Sequence, residues 1–198
     1  MIEVFNFEGK TEDICRTNCF DSLDVYDIEI ITKEYEENNL FKMDVIKISD
    51  ITLFIENYLN ELFNKMNVEA DYSVLEEDKI FTVKIDTRDN AIVIGKDGKN
   101  LSSLQFIIRQ TLRNITNFNI RVNVDVSNYK LRKQKLFEQD IKDIINDVLT
   151  TKTDAKLDPM NSFNRRIVHY VASNYYNIET ESVGEEPERY VTIKYIEK

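Results

Sequence analysis

Histidine occurs once in this chain of 198 residues, at position 169, and cysteine twice, at positions 15 and 19. That scarcity excludes most metal and nucleophile chemistry. Structural zinc usually takes four ligands, and two thiols with no nearby histidine do not supply them. Cys15 and Cys19 fall one turn apart on a helix, where a disulfide would constrain little, so reduced thiols are expected. No serine or cysteine nucleophile with an orienting acid stands near His169, which argues against a hydrolase. No apolar run approaches the roughly 18 residues that cross a bilayer. The opening residues carry Glu3 and no basic-then-apolar pattern, so no secretory signal is expected and the cytosol is the expected location. No cofactor site, no metal site and no catalytic constellation is read from the sequence.

With only four glycines and two prolines, each one carries information about where the chain turns. Neither a repeat nor a low-complexity tract is present. The composition is 42% apolar, enough for a buried core. Acidic residues outnumber basic ones 36 to 26, a net charge of −10, which taken alone argues against a nucleic-acid partner. The distribution reverses that argument. Residues 84–135 hold 11 basic and 4 acidic side chains, while every other segment is net negative. Such a block is either a solvated face or an electrostatic footprint, and its contents decide between them.

Periodicity places an opening strand over residues 2–7 and a turn at Gly9-Lys10. A short helix follows, capped by Thr11 with Glu12 and Asp13 in its first turn. Strands are expected over 27–32 and 41–48, with residues 34–39 as the turn between them. Ile51, Phe54, Ile55, Leu59, Leu62, Phe63 and Met66 mark the core face of a helix beginning near Ser49 or Asp50. Two strands, 68–75 and 79–85, flank an acidic turn at 76–78. A short apolar run over 89–94 leads into Gly95, a helix over 99–114 follows, and residues 120–126 alternate as a strand. The last segment reads as a helix over 131–149, a polar linker over 150–156, a helix over 161–176, and strands 178–183 and 190–196 around Gly184-Glu185-Glu186-Pro187.

Inside the basic block stands Ile92-Val93-Ile94-Gly95-Lys96-Asp97-Gly98-Lys99. Two glycines three apart let a helix–turn–helix junction approach a nucleic-acid backbone, since no Cβ intervenes. Amides at the start of the second helix then face phosphate. Lys96 and Lys99 add charge, and Ile92 and Ile94 pack the helix and line a groove for bases. Asp97 sits where a further cation would help most. Arg109, Arg113 and Arg121 are candidate phosphate contacts or merely solvated. This turn between helices resembles the KH domain in its bacterial, type II topology, a family whose glycine loop clamps about four nucleotides of single-stranded RNA or DNA.

Further on, Arg165 and His169 lie one helical turn apart. With Asp158-Pro159-Met160 before them and Gly184 to Arg189 after, they resemble the R-three-H domain. That resemblance implies a single-stranded nucleic-acid surface made by Arg165, His169 and Arg189. The other reading is structural, with Arg165 and His169 bonding carboxylates such as Glu185 or Glu186.

A KH domain followed directly by an R-three-H domain, behind a short acidic module with Gly9-Lys10-Thr11 at its opening turn, resembles the Jag family (KhpB or EloR, the SpoIIIJ-associated proteins). The expected fold is therefore α+β in three small modules: 1–49 like the Jag N-terminal module, 50–129 a type II KH domain, and 130–198 an α+β R-three-H domain. The resemblance implies a non-enzymatic, cytoplasmic RNA-binding regulator linked to cell elongation and envelope functions. It also implies a small single-KH partner or a homodimer, and no direct membrane insertion. A scaffold acting through the acidic N-terminal module is the alternative, and a nuclease would require a metal cluster that no spacing singles out. Gly98→Asp is expected to weaken RNA binding while the fold survives.

Overall fold

Three small sheets, each covered by helix, follow one another along the chain; the computed structural model describes residues 2–197. Met1 and Lys198, the outer limits of the expected modules, lie outside the described residues. The α+β class expected from the sequence is what the chain adopts.

Strand β1 (Phe5–Gly9) leads into helix α1 (Glu12–Leu23), and a hairpin of β2 (Ile30–Glu37) and β3 (Leu40–Lys47) completes an antiparallel sheet of order β1-β3-β2. Thr11 starts α1 as expected, its hydroxyl accepting the Ile14 amide. The inner face of α1 buries Cys15 and Cys19 against Ile30, Met43 and Val45. Both thiols are free, and burial raises their pKa above the ordinary thiol range. The hairpin differs from the expected one. Its first strand, β2, starts only at Ile30, after a single 3-10 turn at Asp27–Glu29, and continues through the polar stretch expected to be a turn. The bend is instead confined to Asn38 and Asn39, both at positive φ (55° and 61°). A two-residue turn of that hand matches strand twist, so exposed polar residues can stay in the strand.

Helix α2 (Ile48–Met66) buries Ile51, Ile55, Leu59 and Phe63, each contributing roughly 1.5–3 kcal/mol of burial free energy. Phe54 and Leu62 flank that stripe half-buried, and Met66 is exposed at the helix end. Beyond it come β4 (Ala70–Glu77), β5 (Ile80–Thr87), α3 (Asn90–Ile94), α4 (Lys99–Thr116) and β6 (Arg121–Val126). The order is β4-β5-β6, with β4 and β5 antiparallel but β5 and β6 parallel. A parallel neighbour needs a crossover, and α3, the glycine turn and α4 make it. Phe81, Val83, Ile85, Val122, Val124, Leu104, Ile108 and Leu112 fill the core beneath. Ile2 and Ile46, from before α2, enter the same core, and the residues up to Tyr129 form one compact unit.

A second unit starts at Lys130. It comprises most of α5 (Tyr129–Thr151), then β7 (Ala155–Lys156), α6 (Ser162–Ala172), β8 (Ile178–Val183) and β9 (Tyr190–Tyr195), in an antiparallel sheet of order β7-β9-β8. Its core joins Ile141, Ile145 and Val148 to Ile167, Val168, Val171, Val191 and Ile193. The expected linker hides β7, a two-residue strand too short to show periodicity. Helix α6 ends at Ala172 rather than near 176, because the Asn174 side-chain amide donates to the Tyr170 and Val171 carbonyls and closes the last turn. Among the described residues no helix is long and apolar enough to cross a membrane.

Candidate nucleic-acid interface

The turn between α3 and α4 is built by backbone conformations that few residues tolerate. Gly95 lies at φ 69°, ψ 177°, a region open essentially to glycine, and its N–H donates to the Ala91 carbonyl at 2.9 Å. Gly98 lies at φ 84°, ψ 17°, its N–H donating to the Gly95 carbonyl at 3.2 Å. Between them Asp97 takes the left-handed conformation (φ 58°, ψ 16°). Aspartate and asparagine are the side chains that accept that conformation at least cost, so the backbone accounts for an acid where charge alone favours a cation.

Two side chains not singled out from the sequence hold the turn. The Asn100 amide donates to the Ile92 carbonyl at 2.8 Å and fills the space a Cβ on Gly95 would need, 2.5 Å from its Cγ. The Tyr129 ring covers Gly98, where a Cβ would lie 2.9 Å from Cε1. Gly98 is accordingly buried, whereas Lys96, Asp97, Lys99 and Asn100 are exposed. Gly98→Asp therefore strains the backbone and strikes a packed ring, so intact folding is no longer the expectation for it. Gly98, the N-cap of the 18-residue α4, has no side chain with which to cap the helix, so the positive end of the helix dipole lies at this turn. Among the described residues neither Lys96 nor Lys99 is ion-paired.

The other candidates separate. Ile92 is 52% exposed beside the turn, but Ile94 is 8% exposed and belongs to the core, so it lines no groove. Helical periodicity turns one inward and the other outward. Arg109 donates to the Val122 carbonyl at 2.7 Å and to Asn123 Oδ1 at 3.3 Å, fastening α4 to β6. Arg113 is exposed. At 1.5 Å per residue these arginines stand about 15 and 21 Å along α4 from Lys99, away from the turn. Arg121 donates to the Asp78 carbonyl at the β4–β5 hairpin.

In the second unit Arg165 is 8% exposed rather than on the surface. Its Nη1 donates to the Met160 carbonyl at 2.7 Å and pairs with Glu186 at 2.8 Å, while the Met160 amide donates to the Arg189 carbonyl at 3.0 Å. The guanidinium thus braces the segment before α6 against the β8–β9 connection. His169 is half-buried, with Nδ1 2.7 Å from Thr180 Oγ1 and Nε2 2.8 Å from Ser182 Oγ. Burial, then the Arg165 charge, lowers its pKa, which favours neutral imidazole. Arg189 is half-buried, and its Nε has no partner among the described residues. The helical flank that carries Arg165 and His169 packs on the sheet edge. The expected surface trio is thus largely inside, by way of the structural alternative for Arg165 and of hydroxyls, not carboxylates, for His169. No cluster of three or more metal-ligating side chains occurs among the described residues.

Comparison with known proteins bears on both units. Residues 52–126 match the family described as KhpA/KhpB, KH domain, and residues 136–195 match the R-three-H domain. A protein named RNA-binding protein KhpB from Clostridium symbiosum is 37% identical over 138 residues, covering 69% of this chain and 62% of its own. Its namesake from Bacillus subtilis strain 168 is 31% identical over 140 residues, 70% of this chain and 67% of that one. The KhpB of Streptococcus pneumoniae serotype 2 strain D39 is 26% identical over 193 residues, 97% of this chain. Only 58% of that relative is covered, so the chain spans less than two thirds of the first and third of these.

Proposed function

This chain belongs to the KhpB family, and from that premise we propose that it binds single-stranded RNA as a non-enzymatic regulator, gripping the phosphate backbone at Gly95–Lys99. The observation that carries the proposal is the pair of exposed lysines at the start of α4, Lys96 and Lys99, neither ion-paired among the described residues. An anionic chain with net charge −10 places its cations where main-chain amides can also donate. Ile92, held against the turn through the Asn100 bond, offers an apolar surface to a base.

The division into modules 1–49, 50–129 and 130–198 is part of this reading, supported by a separate small core around Cys15, Cys19, Ile30, Met43 and Val45. So are a cytoplasmic location, a role in cell elongation and envelope regulation, and a small single-KH partner or second copy. Phe106 and Ile107, both exposed on α4, offer apolar surface to such a partner.

Lys96→Asp tests the grip without touching a packed atom. The full chain and this variant are titrated against a labelled 12-nucleotide RNA in filter binding at low salt. We expect affinity to fall at least tenfold with an unchanged circular dichroism spectrum; equal affinity removes the turn from the interface. A second reading, a protein scaffold acting through the acidic N-terminal module, draws support from Tyr26 and Ile28, both highly exposed at the 3-10 turn before β2. Tyr26→Ser with Ile28→Ser in the full chain, followed by co-purification from cells, discriminates. Loss of a specific protein with RNA binding intact favours the scaffold.

A further inference from the structure

Helix α6 has an outer face that nothing in the second unit uses. Its inner face is spent on the core through Ile167, Val168, Val171 and Ala172, and its flank on Arg165 and His169. The outward positions are Phe163, Arg166 and Tyr170, spaced i, i+3 and i+7 and so on one side of the helix. Phe163 is 61% exposed and Tyr170 72%. Arg166, between them, is exposed and among the described residues forms no ion pair, while no acidic residue occurs in α6 at all.

We propose that this ring–guanidinium–ring stripe is the nucleic-acid contact of the second unit, stacking two bases on Phe163 and Tyr170 and holding the phosphate between them with Arg166. The inference rests on the RNA-binding reading above and assigns the contact to residues other than Arg165 and His169. At 1.5 Å per residue the two rings stand about 10 Å apart along the axis, with the cation between. Aromatic faces accept any base, and an unneutralised guanidinium interleaved with them is the chemistry that single strands select. A protein partner would meet the same rings, but the isolated cation with no carboxylate on the helix fits a polyanion better. Arg165 and His169 are then positioning residues. They brace α6 against the 184–189 connection and β8 without touching the nucleic-acid strand themselves.

The test uses the full chain and a 5′-fluorescein-labelled 12-nucleotide oligoadenylate, with dissociation constants from fluorescence anisotropy. Phe163→Leu combined with Tyr170→Leu keeps apolar bulk and helix propensity while removing the rings, and we expect affinity to fall at least fivefold. Phe163→Tyr with Tyr170→Phe keeps the rings and is expected to stay within about twofold of the parent. Arg166→Gln should reduce the slope of log affinity against log salt by about one. An unchanged affinity in the leucine variant overturns the stripe. If Lys96→Asp still abolishes binding in that case, the α3–α4 grip stands and the stripe alone fails. No binding by the parent chain removes both.

Discussion

Replacing Arg165 by methionine separates a brace from a contact. Methionine keeps the apolar stem among its neighbours and removes the donors. The Met160 carbonyl loses its 2.7 Å partner, and leaving a shielded acceptor unpaired costs about 1–3 kcal/mol. The pair with Glu186 adds less, because that carboxylate is more than half exposed and solvent screens it; about 0.5 kcal/mol is a fair share. The sum is roughly 1.5–3.5 kcal/mol. In a unit of this size each kcal/mol moves the transition by about 4–8 °C, so the second unit should melt roughly 6–28 °C lower. Differential scanning calorimetry of the full chain reads this directly. Below the new transition, oligoadenylate affinity should stay within about threefold of the parent, since α6 still presents its outer face. An unshifted transition with RNA affinity lost would refute the reasoning and return Arg165 to the interface.

Other perturbations follow from the same geometry. Burial and the Arg165 charge hold the His169 pKa below its ordinary 6.5, so the folded state releases that proton more readily than the unfolded chain does. The associated stability is present above pH 6.5 and is lost as pH falls through the lowered pKa; His169→Gln should flatten the dependence of the melting temperature between pH 6.5 and 5. Arg109→Met, which cuts α4 from β6, should destabilise the first unit by about 1–2 kcal/mol in urea unfolding and leave the charge at the glycine turn untouched. Lys79 adopts φ 61° at the β4–β5 turn, so Lys79→Gly should raise the urea midpoint by the equivalent of about 0.5–1 kcal/mol.

Amphipathic periodicity made the helices legible. The stripe of α2 and the inward set Leu101, Leu104, Ile108 and Leu112 of α4 stand out because a 3.6-residue period repeats over several turns. Strands bounded by two-residue turns were harder. Asn38-Asn39 and Asp78-Lys79 each reverse the chain within two positive-φ residues, so polar side chains on either side remain in strands that composition assigns to a loop. At the glycine turn, residue type and spacing located the bend, but not what grips it. Asn100 was readable only as a polar residue early in a helix, and Tyr129 lies 31 residues from Gly98. Arg165 shows the limit of motif reading. Its spacing from His169 reports a shared helical flank, yet spacing cannot say whether that flank meets water or the sheet. The outward rings at 163 and 170 could have been found by rotating the α6 pattern away from Ile167, Val168 and Val171.

Because Ile2 and Ile46 insert among the side chains beneath β4–β6, the first 49 residues are not a detachable handle. Trimming them would open two apolar holes in the neighbouring layer, and the liberated fragment would carry both isoleucines bare into water. Studies of partner choice by that segment are therefore better served by point changes on its outer surface than by excision.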